Sequence, residues 1–192
     1  MTEKSKIIFD SDCISSFLWI KEINLLFQLF KDTIKIPEAV YNEIGIMKKS
    51  RKFSFVFLDL DKEIKSKRIE ILKIEAGSEI EEILDKIVEE YAKSNNNKQI
   101  GDGEAEMLAL AKYYNAYCIV KSASNNLRDV YKIAKKEGIK NITTMDILYM
   151  AYEKKLKSVD ELNLMIKEMK ARERKLPVET FEEYLQTKKD SL

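Results

Sequence analysis

The sequence predicts an α/β protein organised on a parallel sheet, and three observations carry that reading. Short runs rich in β-branched and aromatic residues alternate with longer stretches whose apolar positions recur at helical spacing. Of 192 residues, 35% are charged and only five are Gly and two Pro, a composition suited to a helix-rich soluble chain. The first apolar run, Ile7-Ile8-Phe9, stops abruptly at Asp10-Ser11-Asp12. In an open parallel sheet the carboxyl end of a strand is where a ligand crevice forms, so that stop places chemistry as well as structure.

The elements follow in order. After the strand at 7–9, Ile14, Phe17, Leu18, Leu25, Leu26, Leu29 and Phe30 keep helical spacing, and Lys21-Glu22-Ile23-Asn24 is the natural place to split this stretch into two helices. Residues 33–36 form a short strand. Pro37 suits the first position of a helix in which Val40, Ile44 and Met47 share a face with Glu43 beside it. Residues 51–61 give no clear element, because Phe53, Phe55 and Phe57 alternate as they would in a strand. Residues 67–74 read as a strand through Ile69 and Ile71. Gly77 and Ser78 open a helix to about residue 93, and the asparagines of 94–97 mark a loop. Asp102 is a natural N-cap for a helix in which Glu104, Leu108 and Ala111 fall on one stripe. A strand at 117–120, a polar loop at 121–126, a helix at 127–136, a strand at 139–143 and a helix at 145–155 complete the unit. That succession describes a parallel α/β layout with right-handed crossovers. Beyond it, residues 158–173 are amphipathic through Leu162, Met165, Ile166 and Met169, residues 172–175 and Pro177 break the pattern, and 178–186 form a closing helix. We therefore expect an α/β domain over 1–152 with a helical C-terminal appendage, 153–192, packed on it.

Composition restricts the chemistry. Lys and Arg number 34 against 33 Asp and Glu, a net charge of +1, so no global field recruits nucleic acid and any basic surface is a local patch. The sequence contains no histidine. This excludes Ser-His-Asp and Cys-His catalysis, histidine-pair ribonuclease chemistry and every imidazole metal site. Carboxylates with an oxygen-loving cation remain, together with lysine and hydroxyl chemistry. Cys13 and Cys118 lack metal-ligand spacing and read as reduced core thiols. The chain runs into its first strand without a signal peptide, and no apolar run reaches the roughly 18 residues that span a bilayer, so the expected location is the cytoplasm, away from membranes.

Three acids stand where such chemistry needs them: Asp10 at a strand end, Glu43 on a helix, and Glu104 at a helix start in line with a buried stripe. Gathered by the sheet, they could hold Mg²⁺ or Mn²⁺, neutralise a phosphate and make hydroxide from water. Ser11 stands one residue on from Asp10, within reach of a carboxylate or a scissile phosphate. Each acid also has a plain reading: Asp10 as a helix cap, Glu43 on a solvated helix edge, Glu104 as a complement to the helix dipole, and Asp12 as a first-turn acid or a ligand through water.

The chain resembles the PIN-domain family, which includes the toxin ribonucleases of the VapC kind. Three stretches carry the likeness: Ile7-Ile8-Phe9-Asp10-Ser11-Asp12, Ile36-Pro37-Glu38-Ala39-Val40-Tyr41-Asn42-Glu43-Ile44, and Gly103-Glu104-Ala105-Glu106-Met107-Leu108-Ala109-Leu110-Ala111. The likeness covers roughly residues 6–150. It implies a three-layer α/β/α fold and a divalent-metal nuclease acting on RNA, with Asp10, Glu43 and Glu104 as metal-site acids and Glu106 as a further candidate. It also implies a small antitoxin-type protein partner and a homodimer. The sequence departs from the family where many relatives place a Thr-Asp-Asp loop, since Lys121-Ser122-Ala123-Ser124-Asn125-Asn126 stands there. Asn125 and Asn126 can offer oxygen to a metal but no charge. Asp129 and Asp146 are candidates to replace the missing acid, and both also read as helix-start acids. Lys121 and Arg128, with Lys132 and Lys135, are candidate phosphate contacts.

Two alternatives remain open at this point. One is a PIN-like module, weakened catalytically by those asparagines, that binds RNA or protein. The other is a phosphatase of the haloacid dehalogenase type, with Asp10 as nucleophile and Asp12 as acid/base. Gly101-Asp102 mimics that family's second motif, but a polar stretch precedes it instead of a strand, and Ile14 stands where Thr or Val is expected.

Overall fold

The computed structural model describes residues 6–31, 34–120 and 127–190, of which 120 and 127–129 are described in backbone only. Five parallel strands form one sheet: β1 (Ile7–Phe9), β2 (Ile34–Pro37), β3 (Ile69–Leu72), β4 (Tyr117–Val120) and β5 (Lys140–Thr143), in the spatial order β3-β2-β1-β4-β5. The chain winds outward from β1 to β3, then returns to the other side of β1 and winds out again. The reversal lies between β1 and β4, where Ile8 stands opposite Cys118 and Phe9 opposite Ile119. This is the topological switch point, where an open α/β sheet leaves a crevice at its strand ends.

Side chains alternate across the pleat and so define three layers. Ile8 and Cys118 face one way, into a buried cluster with residues of α5 (Glu79–Ser94), α6 (Asp102–Tyr113) and α7 (Leu127–Lys136). Ile7, Phe9 and Ile119 face the other way. Their cluster draws on α1 (Ser11–Trp19), α2 (Ile23–Leu29), α3 (Glu38–Ile46), α4 (Ser54–Lys65) and α8 (Thr144–Glu153). The three-layer α/β/α fold expected from the family resemblance is the one observed. Leu162, Met165, Ile166 and Met169 of α9 (Val159–Ala171) and Phe181 of α10 (Phe181–Lys189) join that second cluster and are almost fully buried.

Several boundaries differ from the sequence reading. The 14–30 stretch does divide into two helices at the expected place, where Lys21 takes a positive φ of 61°. Pro37 ends β2 and caps α3 without entering it. Gly101, not Asp102, is the N-cap of α6. The unclear stretch at 51–61 is largely helix α4, whose buried residues Val56, Leu60 and Glu63 recur every three or four positions. The alternating phenylalanines misled because none of them faces the sheet squarely: Phe53 stacks on Trp19 and Phe57 lies against Tyr41, all at the margin of the core. No described helix is long and apolar enough to cross a membrane.

Candidate functional site

Asp10 sits at the switch point. Its backbone N–H bonds to the Ile119 carbonyl of β4, so strand pairing fixes its position at the end of β1. Its side chain caps α1, accepting from the Cys13 N–H at 2.6 Å, and only 4% of the residue is exposed. Burial pushes its pKa up to about 8. The Cys13 N–H opposes the rise, Asp12 and Glu104 add to it, and Arg174 counters it. Asp10 is thus both things the sequence allowed, a helix cap and a buried carboxyl facing other acids. The thiols of Cys13 and Cys118 flank it and are pushed up as well, first by burial and then by Asp10. They are inert neighbours.

Asp12 lies in the first turn of α1 and forms an ion pair with Arg174, 162 residues downstream. The other guanidinium nitrogen, Nη2, donates to Ser15 Oγ at 2.8 Å, and Cζ lies 4.1 Å from the centroid of the Trp19 ring. Arg172 donates to the Trp19 carbonyl at the far end of the same helix. The short connection between α9 and α10 therefore grips α1 at both ends. Sequence reasoning treated 172–175 as a helix break only. A basic run directly after an amphipathic helix was the available signal, but no local pattern reveals a partner so distant in the chain.

Glu43 and Glu106 form a separate pair of contacts. Glu43 Oε1 accepts from the Gly103 N–H in the first turn of α6 at 3.2 Å, and Glu106 Oε2 accepts from the Ala39 N–H in the first turn of α3 at 3.0 Å. Each helix supplies a carboxylate to the other's unsatisfied N-terminal donors, which suits both dipoles. Glu106 is pushed up, by burial first, then by Glu38, Asp102 and Glu43, against the Ala39 N–H. This interlock explains the Gly of Gly103-Glu104-Ala105-Glu106. A Cβ at Gly103 would stand 2.7 Å from Glu43 Oε1 and 3.0 Å from Val40 Cγ2. We expect Gly103→Ala to destabilise the protein by about 1–3 kcal/mol, the usual cost of overpacking, in denaturant melts. An unchanged midpoint would mean the two helices are free to separate.

Asp146 is held by partners of its own. It completes a capping box with Thr143 at the start of α8, and its Oδ1 accepts from Tyr184 Oη at 2.7 Å and from Lys188 Nζ at 2.8 Å, both on α10. Burial raises its pKa, but these donors outweigh burial and hold it below the usual carboxylate range. Asp146 anchors α10. Lys121, Asn125 and Asn126 lie outside the described residues, as do the side chains of Arg128 and Asp129. Lys132 and Lys135 are exposed on α7. Asp102 opens α6 after a loop, without the preceding strand that the phosphatase alternative requires.

The site thus has Asp10 at its centre, with Asp12 and Glu104 close enough to act on its charge, and Glu43 turned to the α6 N-terminus. Among the described residues, no three acid or thiol side chains are drawn together tightly enough to hold a metal ion. The donor type fits a hard divalent cation, since every candidate ligand is a carboxylate oxygen. A buried carboxyl with a raised pKa is also one that lacks a full counter-charge.

Comparison with known proteins bears on this arrangement. The sequence matches the model of the PIN domain family over residues 6–190. No curated protein matches it. Among solved structures, the fold resembles the DNA-bound VapBC of Salmonella typhimurium, with a TM-score of 0.56 at 19% identity, covering 73% of this chain and 98% of that one. VapBC2 of Rickettsia felis, bound to a promoter DNA fragment, gives a TM-score of 0.48 at 16% identity, covering 71% and 97%. The family match takes in all three motif stretches, the switch-point aspartate and the C-terminal helices alike, and the chain belongs to the PIN-domain family.

Proposed function

We propose that this protein is a divalent-metal-dependent ribonuclease that hydrolyses RNA phosphodiesters at the carboxylates around Asp10. The observation that carries the reading is Asp10 itself: a buried, under-compensated carboxyl at the switch point of a PIN-domain sheet, with Asp12 and Glu104 acting on its charge. Its cap on α1 needs only a polar acceptor, which asparagine would supply without a buried acid, so the carboxyl itself points to chemistry. Asp10 and Glu104, with Asp12 once it is released from Arg174, would hold Mg²⁺ or Mn²⁺. When bound, that ion would neutralise the scissile phosphate and activate a water.

Each residue has a defined part. The Cys13 N–H fixes the Asp10 carboxyl in one orientation, and the strand pairing beneath it prevents retreat. Glu43 keeps the start of α6, and so the backbone bearing Glu104, locked against α3. A toxin role, with a small antitoxin-type protein as partner, extends the same reading and is supported by the fold likeness to VapBC.

The test is direct. Purified protein with Mn²⁺ or Mg²⁺ is expected to cleave internal phosphodiesters of single-stranded RNA, and chelation to stop it. RNA that is bound but left intact in both metals would replace the nuclease with a PIN-fold binding module. Hydrolysis of a small phosphomonoester with RNA untouched would favour the phosphatase instead.

A further inference from the structure

The pairing of Arg174 with Asp12 raises a question that the carboxylates alone do not. Arg174 is delivered from the connection between α9 and α10, and its side chain is only 11% exposed. One nitrogen of its fork is on Asp12, another on Ser15, and its flat face lies over Trp19. A guanidinium held through both terminal nitrogens and over one face has little freedom to serve a substrate phosphate. It is positioned instead to compensate acids, with Asp12 in contact and Asp10 within electrostatic reach. The acids at 10, 12 and 104 thus carry a tethered +1 where a divalent ion would carry +2. The two cations repel each other at such separations and compete for the same Asp12 oxygens.

We propose that Arg174 is a built-in stand-in for the divalent cation, a strap from the C-terminal helices that holds Asp12 in the ion-free protein and must let go of it when the ion binds. The proposal rests on the metal reading of the Asp10 site and deepens it. Ion binding and strap release are then the same event, and whatever moves the α9–α10 connection changes ion affinity.

Trp19 makes that event visible, because it is the sole tryptophan in the sequence and it carries the guanidinium on its ring. Titration of the full chain with Mg²⁺, which does not itself quench indole emission, is expected to shift Trp19 fluorescence with the same midpoint as the calorimetric binding isotherm. Arg174→Met is expected to bind Mg²⁺ at least tenfold more tightly and to show no such shift, while Arg174→Lys, which keeps the charge, stays near the natural protein. Equal or weaker Mg²⁺ binding by Arg174→Met would make Arg174 an organiser of the site and overturn the strap. So would Mg²⁺ binding to the natural protein with Trp19 emission unmoved, a measurement that needs no variant to fold. Absence of heat with both Mg²⁺ and Mn²⁺ would instead remove the metal reading itself, and the strap with it.

Discussion

Asp10→Asn is expected to reduce RNA cleavage to background and, in metal-free buffer, to make the protein more stable above neutral pH. The two effects have one cause. In the folded protein Asp10 titrates near 8 instead of 3.8, chiefly through burial. Between those values the native state keeps a proton that the unfolded chain has lost, so stability falls as pH rises through that window and the loss is complete above about 8. At 1.36 kcal/mol per unit the full penalty is roughly 6 kcal/mol as an upper bound. Asparagine cannot ionise, yet it still accepts the Cys13 N–H as an N-cap, where it ranks with aspartate. The melting curves of the two proteins in chelator should therefore separate progressively from about pH 4 to pH 8 and then run parallel. A separation independent of pH would mean that Asp10 is not the group carrying the buried proton. Because a divalent ion must displace that proton, its affinity is also expected to rise with pH up to about 8 and to level off there.

The sequence revealed what local patterns encode and missed what only tertiary distance creates. Asp10 was legible because a strand that ends in an acid beside a helix start is a local signature, and the Gly103 motif was legible for the same reason. The role of Glu43 was only half visible. Its position beside the Val40 and Ile44 face was readable, but its bond to the Gly103 N–H depends on how closely α3 approaches α6. Asp146 looked like a candidate ligand or a first-turn acid, and its engagement by Tyr184 and Lys188 arises only when α10 folds back on α8. The helix over 54–65 was obscured because three phenylalanines at period two outweighed the quieter Val56-Leu60-Glu63 stripe that faces inward. Arg174 was the largest omission. Its meaning lies entirely in a contact made across most of the chain.

That contact bears on the second large effect. A chain ending at Lys154 is expected to lose cooperative folding altogether. Leu162, Met165, Ile166, Met169 and Phe181 are each at most 4% exposed and sit in the same cluster as Phe9, Phe17 and Ile119 of the sheet layer and α1. At about 1.5–3 kcal/mol per fully buried side chain, their removal forfeits on the order of 10 kcal/mol, comparable with the whole stability of an ordinary domain. The loss is compounded at Tyr152, whose ring lies 5.5 Å from that of Phe181 and would be opened to water. The single substitution Phe181→Ala samples the same interface more gently and should cost about 3–5 kcal/mol. Circular dichroism and denaturant melts of both proteins decide the matter. A shortened chain that still melts in one sharp transition would show that the C-terminal helices merely cover the core. The grip of Arg172 and Arg174 on α1 would then be dispensable for folding, although it could still govern which cation the acids hold.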